Sequence, residues 1–198
     1  MPLYKYFTDE RFANAFIRKG NMRFGSLASY RELEDGGVRG DPKDATLHYE
    51  PSEGIEITMV ADGRKLSGTS FSSAAQNMFV YCMSSELSLE RAAELGPFCV
   101  EIADPDTIVA RLRARATEAS RLDYAAVVCG ETEYRPNDKI PGADWAVPER
   151  VVMIKPPEYA SQKEFRIALP LKPDATSDDE CVFVSIGKLG GIARLHRF

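Results

Sequence analysis

Hydrophobic positions change period several times along this chain, and each change predicts an element. Leu3–Phe7 alternates as a short strand, after which Phe12, Ala13, Phe16 and Ile17 fall at helical spacing. Thr8 is placed to cap that helix, Asp9 and Glu10 lie in its first turn, Arg18 and Lys19 in its last, and Gly20 at its stop. Met22–Gly25 predicts a second strand and Ser26–Leu33 a helical turn. From Glu34 to Ala45 the chain turns to Asp, Gly, Arg and Pro, the chemistry of a long loop, with Asp35, Arg39 and Asp41 in it. Asp62-Gly63 between Gly54–Ala61 and Arg64–Ser70 predicts a hairpin. Asn77–Ser84 reads as a strand, Leu87–Leu95 as a helix stopped by Gly96, and Phe98–Ile102 as a strand. Asp104-Pro105 opens a helix with the stripe Ile108, Leu112, Ala116 and Ala119. Tyr124–Cys129, Val151–Ile154, Lys163–Leu169 and Cys181–Ile186 complete the strands; Asn137–Val147 is a loop and Lys172–Glu180 a charged linker.

Helices and strands do not alternate regularly enough for a doubly wound sheet, so the pattern predicts an α+β fold with mainly antiparallel sheets. At 198 residues the chain reads as one domain, residues 1–198, with enough core to fold without a disulfide or a metal. Its 25 Lys and Arg against 30 Asp and Glu give a net charge of −5, which argues against broad, non-specific duplex binding. The polar N-terminus and the strand-length apolar runs predict neither a signal peptide nor a membrane span, hence a cytoplasmic protein with no membrane partner. Cys82, Cys99, Cys129 and Cys181 show no CxxC spacing and sit in or beside apolar runs, which predicts buried, reduced thiols. The two histidines, His48 and His196, are far apart, and no glycine-rich phosphate loop is present. Metal, P-loop and Rossmann chemistry therefore start without support.

Candidate chemistry concentrates in Gln162–Leu169. If the strand alternates, Phe165, Ile167 and Leu169 enter a core while Gln162, Glu164 and Arg166 share the other face. That polar row reads either as a solvated strand or as a ligand-holding surface on which Glu164 stabilises positive charge. On the second reading Glu164 is dispensable for folding, and Glu164→Gln costs no more than about 1 kcal/mol of stability. Ser84 and Ser85 end their strand before a helix; one of them caps that helix or faces a cleft. Lys5, between Tyr4 and Tyr6, is either an exposed lysine or a cation for phosphate or ribose. Arg111, Arg113 and Arg115 spread around their helix as a solvated face.

Taken together, Leu3-Tyr4-Lys5-Tyr6, Gly20, Arg39-Gly40-Asp41-Pro42, Cys82-Met83-Ser84, Gly96-Pro97-Phe98-Cys99-Val100-Glu101, Lys155 and Gln162-Lys163-Glu164-Phe165-Arg166 resemble a bacterial and phage family of unknown function. That family in turn looks like a distant relative of the ADP-ribosyltransferases. The resemblance implies split antiparallel sheets around a central cleft with peripheral helices, and NAD as the substrate that serves as cofactor. It implies Glu164 and Gln162 as catalytic residues, the first stabilising the oxocarbenium-like transition state, the second orienting the acceptor. Lys5, Tyr6, Tyr30, Ser84, Ser85 and Arg166 are the implied cofactor-binding set, with Tyr30 or Trp145 available to stack on a ring.

The implied function is an ADP-ribosyltransferase-like protein, a toxin or phage-defence component, modifying an unidentified protein or nucleic-acid acceptor. Lys5 stands where Arg or His is usual, and Cys82-Met83-Ser84-Ser85 where Ser-Thr-Ser is usual. These departures favour the alternative, a catalytically inactive nucleotide- or protein-binding scaffold. A third reading is a Mg²⁺-dependent nuclease using Asp35, Asp41 and Glu164.

Overall fold

The computed structural model describes residues 1–33, 40–68, 70–136 and 139–198. The first part runs β1 (Leu3–Phe7), α1 (Glu10–Lys19), β2 (Asn21–Ser26), α2 (Leu27–Glu32), β3 (Thr46–Tyr49), β4 (Glu56–Thr58), β5 (Lys65–Ser67) and β6 (Phe71–Ala74). The middle holds β7 (Met78–Ser84), α3 (Leu89–Leu95), β8 (Phe98–Ile102), α4 (Pro105–Arg113), β9 (Val128–Glu131) and β10 (Glu133–Tyr134). The last part holds α5 (Pro148–Val151), β11 (Ile154–Lys155), β12 (Glu164–Pro170), β13 (Cys181–Ser185) and β14 (Ala193–Arg197). The fold is α+β and mostly antiparallel; among the described residues only β10–β11 pairs in parallel. No described helix is long and apolar enough to cross a membrane.

An eight-stranded sheet organises the molecule around β7. One edge of β7 pairs with β12 along its whole length, from Met78↔Pro170 to Ser84↔Glu164. Its other edge is divided. β2 meets it at Gly25↔Val80 and Ser26↔Phe79, whereas β1 meets it at Tyr4↔Ser84. The sheet thus forks into β2–β13 and β1–β8–β14. In the fork, Lys5 Nζ donates to the Cys82 carbonyl at 2.7 Å and lies 4.5 Å above the Tyr81 ring.

The alternation of β7 and β12 separates two cores. Phe79, Tyr81, Met83, Ile167 and Leu169 pack with α1 and α4 through Ala13, Phe16, Ile108 and Leu112. Met78, Val80 and Ala168 pack on the other face with Leu27, Leu47, Val151 and Ile154. Helix α1 holds its place because Asp9 accepts from the Arg11 amide at 2.7 Å and Gly20 closes the other end at φ +62°. A Cβ at Gly20 would come 2.4 Å from the Gly187 carbonyl oxygen, so the same residue lets the chain before β2 lie against the chain after β13.

Several expectations are corrected. Asp9, rather than Thr8, caps α1, and Phe12 is 60% exposed, so the apolar stripe narrows to Ala13, Phe16 and part of Ile17. Helix α4 ends at Arg113, short of Ala116 and Ala119. The expected strand at Tyr124–Cys129 begins as a 3₁₀ turn at Tyr124–Ala126, because the Asp123 carboxylate accepts the Ala125 and Ala126 amides. Pro148 starts a helical turn where Val151–Ile154 was expected to be extended, leaving only Ile154–Lys155 as strand. Arg113 is exposed and Arg111 and Arg115 are half-buried, but each is also tied down by donating to a backbone carbonyl, at Val127, Lys188 and Ser185 respectively. All four cysteines are free, but of the four only Cys99 is buried; Cys82 and Cys181 are half-buried and Cys129 is exposed on β9. Strands β3, β6 and β14 had no clear pattern in the sequence.

Candidate functional site

Glu164 and Arg166 share the Ala168 face of β12, as alternation requires, but that face is an interior. Glu164 is 6% exposed and Arg166 0%. Arg166 reaches Glu164 through Nε at 3.0 Å, Asp44 Oδ1 at 2.8 Å and the Val152 carbonyl at 2.7 Å. Asp44 comes from the turn before β3, which Arg31 holds by donating to the carbonyls of Asp44 and Ala75, both at 2.8 Å. Lys155 enters from β11. Its ammonium lies 2.9 Å from Glu164 Oε2, donates to Gln162 Oε1 at 2.9 Å and sits 5.0 Å above the Tyr159 ring.

Gln162 reaches this cluster by a route other than strand alternation. Pro157–Gln162 is a 3₁₀ run, and Lys163 adopts a left-handed conformation at φ +45° that resets the chain before β12 starts. The Glu164 amide donates to the Tyr134 hydroxyl at 2.9 Å. Ser84 and Ser85 fasten this corner: their hydroxyls donate to the carbonyls of Gln162 and Lys163, both at 3.2 Å. Neither caps α3, whose N-cap is Ser88.

The other expected residues divide. Tyr30 packs against the second core, and a Cβ at Gly25 would come 2.8 Å from its ring, so glycine in β2 makes its seat. Burial and then the charges of Cys82 and Glu164 push its hydroxyl well above its ordinary pKa. Tyr6 faces away, in a small cluster with Ala92 and Cys99, and its hydroxyl accepts from the Ser88 amide at 2.8 Å. Lys5 alternates with Leu3 and Phe7 toward the first core, the face opposite Glu164. The cations that meet Glu164 are Lys155 and Arg166, not Lys5. Asp35 and Arg39 lie outside the described residues. Among the described residues no group of three His, Cys, Asp or Glu side chains is arranged to hold a metal ion, and Asp35 of the nuclease reading lies outside them.

Electrostatics fix the protonation states. Burial alone would raise the Glu164 carboxyl, but the charges of Arg166 and Lys155 outweigh it and hold it at about 2. Burial would likewise lower Lys155, and Glu164 overrides this, leaving Lys155 above its ordinary value. Burial raises Asp41, against the opposing hydrogen bond from the Lys43 amide. Two buried atoms at this cluster's margin, Asp41 Oδ2 and Thr132 Oγ1, have no hydrogen-bond partner among the described residues. A carboxylate so firmly ionised cannot trade protons near neutrality; its available chemistry is electrostatic.

Beside Lys155 a cleft is lined by His48, Arg135, Lys139, Trp145 and Lys155, with apolar contributions from Leu47 and Ile154. A larger groove, ≈ 380 Å³, runs between Ser26–Glu32 and Ser177–Glu180; none of its lining residues belongs to the Glu164 cluster. Sequence reasoning assigned no role to Asp44 or Arg135. Lys155 entered only as part of a motif, because a residue's ion-pair partner across the fold leaves no local signature. The chain matches no protein-family model, no curated protein and no solved structure.

Proposed function

We propose that this is an ADP-ribosyltransferase-like protein that binds NAD and cleaves its bond to nicotinamide, with Glu164 as the electrostatic stabiliser. One observation carries the reading. Ser84, at the end of β7, is in register with Tyr4 of β1 on one side and Glu164 of β12 on the other, beside the fork in the sheet. Three of the segments that carry the resemblance, Leu3–Tyr6, Cys82–Ser84 and Gln162–Arg166, thus meet at one corner. Breaking the glycosidic bond develops positive charge on the ribose, and a carboxylate that stays ionised at every physiological pH suits that step. Gln162, held by the same lysine, is adjacent to orient an acceptor.

A second reading, a non-catalytic nucleotide- or protein-binding scaffold, is favoured by the burial of Glu164 and the pairing of both its oxygens. NAD consumption separates the two. Glu164→Asp keeps the charge but withdraws it by one methylene, so turnover should fall roughly 10²-fold, about 2.7 kcal/mol in the barrier. Its thermal melt should stay much closer to wild type than that of Glu164→Gln. Wild-type protein that consumes no NAD with any acceptor tried would leave the scaffold reading.

A further inference from the structure

We infer that the cleft beside Lys155 is a subsite for the phosphates of a nucleotide, an assignment whose choice of ligand rests on the NAD reading. Among the described residues, four of its lining side chains, His48, Arg135, Lys139 and Lys155, are basic and none is acidic. These groups gather at one place in a chain of net charge −5. The carboxylates that balance these groups bind them without lining the cleft. Glu133 takes Arg135 at 2.6 Å and Lys139 at 3.2 Å, Asp144 takes a second nitrogen of Arg135, and Glu50 lies 3.0 Å from His48.

Arg135 is therefore held as a fixed fork. Nε, Nη1 and Nη2 each make one such contact, and a guanidinium has about five N–H donors, so about two are unused among the described residues. Lys139 is 52% exposed on its side chain, and its ammonium, with about three donors, meets only Glu133 among the described residues. The cleft holds only ≈ 20 Å³ of space that a water can occupy and opens directly to solvent. That inner space suits about one oxygen-sized group, with the rest of a ligand lying in the mouth. There Trp145 supplies an aromatic wall for a base.

The subsite also connects to the buried cluster. Lys155 lines the cleft and at the same time pairs with Glu164 and Gln162.

Trp145 is the protein's only tryptophan, so its fluorescence reports on the cleft directly. Titrations with ADP, inorganic pyrophosphate and adenosine should give a saturable change with the first two and at least ~10-fold weaker binding of adenosine. Raising salt from about 0.05 to about 0.3 M should weaken ADP binding, as charge-based recognition requires. Lys139→Ala, at an exposed position, and Arg135→Gln should each weaken ADP binding ~10-fold while melting near wild type. Adenosine binding as tightly as ADP, no response to ADP at millimolar concentration, or both variants binding ADP like wild type would overturn the assignment. ADP binding lost in the variants, in a protein that never consumes NAD, would uphold the subsite and defeat the enzyme reading. NAD turnover with KM unchanged in both variants would do the reverse.

Discussion

On one face of β12, Phe165, Ile167 and Leu169 join the larger apolar core; on the other, Glu164 and Arg166 sit among Asp44 and Lys155 before Ala168 returns to apolar packing. Both faces exclude water, yet they resist change differently. An apolar interior loses stability in proportion to the volume removed, because neighbours relax into part of the space. An ionic interior has no such gradation: removing one charge leaves its partners buried and uncompensated. Arg166→Met should therefore be the most damaging substitution in the strand. It strands Glu164 and Asp44 together and should cost about 4–5 kcal/mol, against roughly 2–4 kcal/mol for Ile167→Ala. Urea denaturation of the variants measures both. An Arg166→Met protein as stable as wild type would mean the two faces follow the same rules.

Glu164→Gln sharpens the comparison and reverses the sequence expectation of a near-neutral change. Both of its ion pairs are lost, and roughly 3 kcal/mol should go with them at neutral pH. The pH dependence has a defined sign. The folded carboxyl, at about 2, lies below its ordinary value of 4.5, so its contribution is complete above about pH 4.5 and lost as pH falls toward 2. Wild type should thus approach the Glu164→Gln variant in stability at the acid end, and parallel curves across pH 2–5 would show that Glu164 is not held this way. Lys155 is the opposite case. Its folded value is raised above 10.5, so its stabilisation is full below that pH and lost as pH rises through the folded value. Lys155→Gln should cost less, about 2 kcal/mol, because Arg166 still faces Glu164. Melting curves up to pH 11 measure it.

The same contrast explains what the sequence made legible. Alternation put Phe165, Ile167 and Leu169 on one side and Glu164 and Arg166 on the other, and the strands Leu3–Phe7 and Phe98–Ile102 carry their expected bounds. Period 2 tells which residues share a face but not what covers it. Asp44 arrives 120 positions earlier in the chain and Lys155 from a two-residue strand, so nothing near β12 announces that its polar face is sealed. Gln162 seemed to extend the row by spacing alone. The left-handed Lys163 breaks that spacing, and a non-glycine residue at φ +45° leaves no compositional trace. Strands β3 and β6 were illegible for a related reason: their pairing joins Thr46–Tyr49 to Phe71–Ala74 across an intervening hairpin, and neither segment alternates cleanly.

The smallest effect is expected where neither interior reaches. Strands β4 and β5 pair through only three residues each, Glu56↔Ser67 to Thr58↔Lys65, and the turn depends on Gly63 at φ +70°, with open space around it. Val60 at this tip is 102% exposed, so it contributes no burial to either face of the sheet. Val60→Asp removes an apolar side chain from water and adds a charge to it, with nothing to desolvate and nothing left unpaired. Stability should change by no more than about 0.5 kcal/mol, a shift of about 2 °C or less in the melting temperature of a chain this long. A larger loss, or a concentration-dependent melt in wild type that the variant abolishes, would show that another surface covers the hairpin in solution. The contrast would then lie between two kinds of packed surface rather than between packed faces and a free tip.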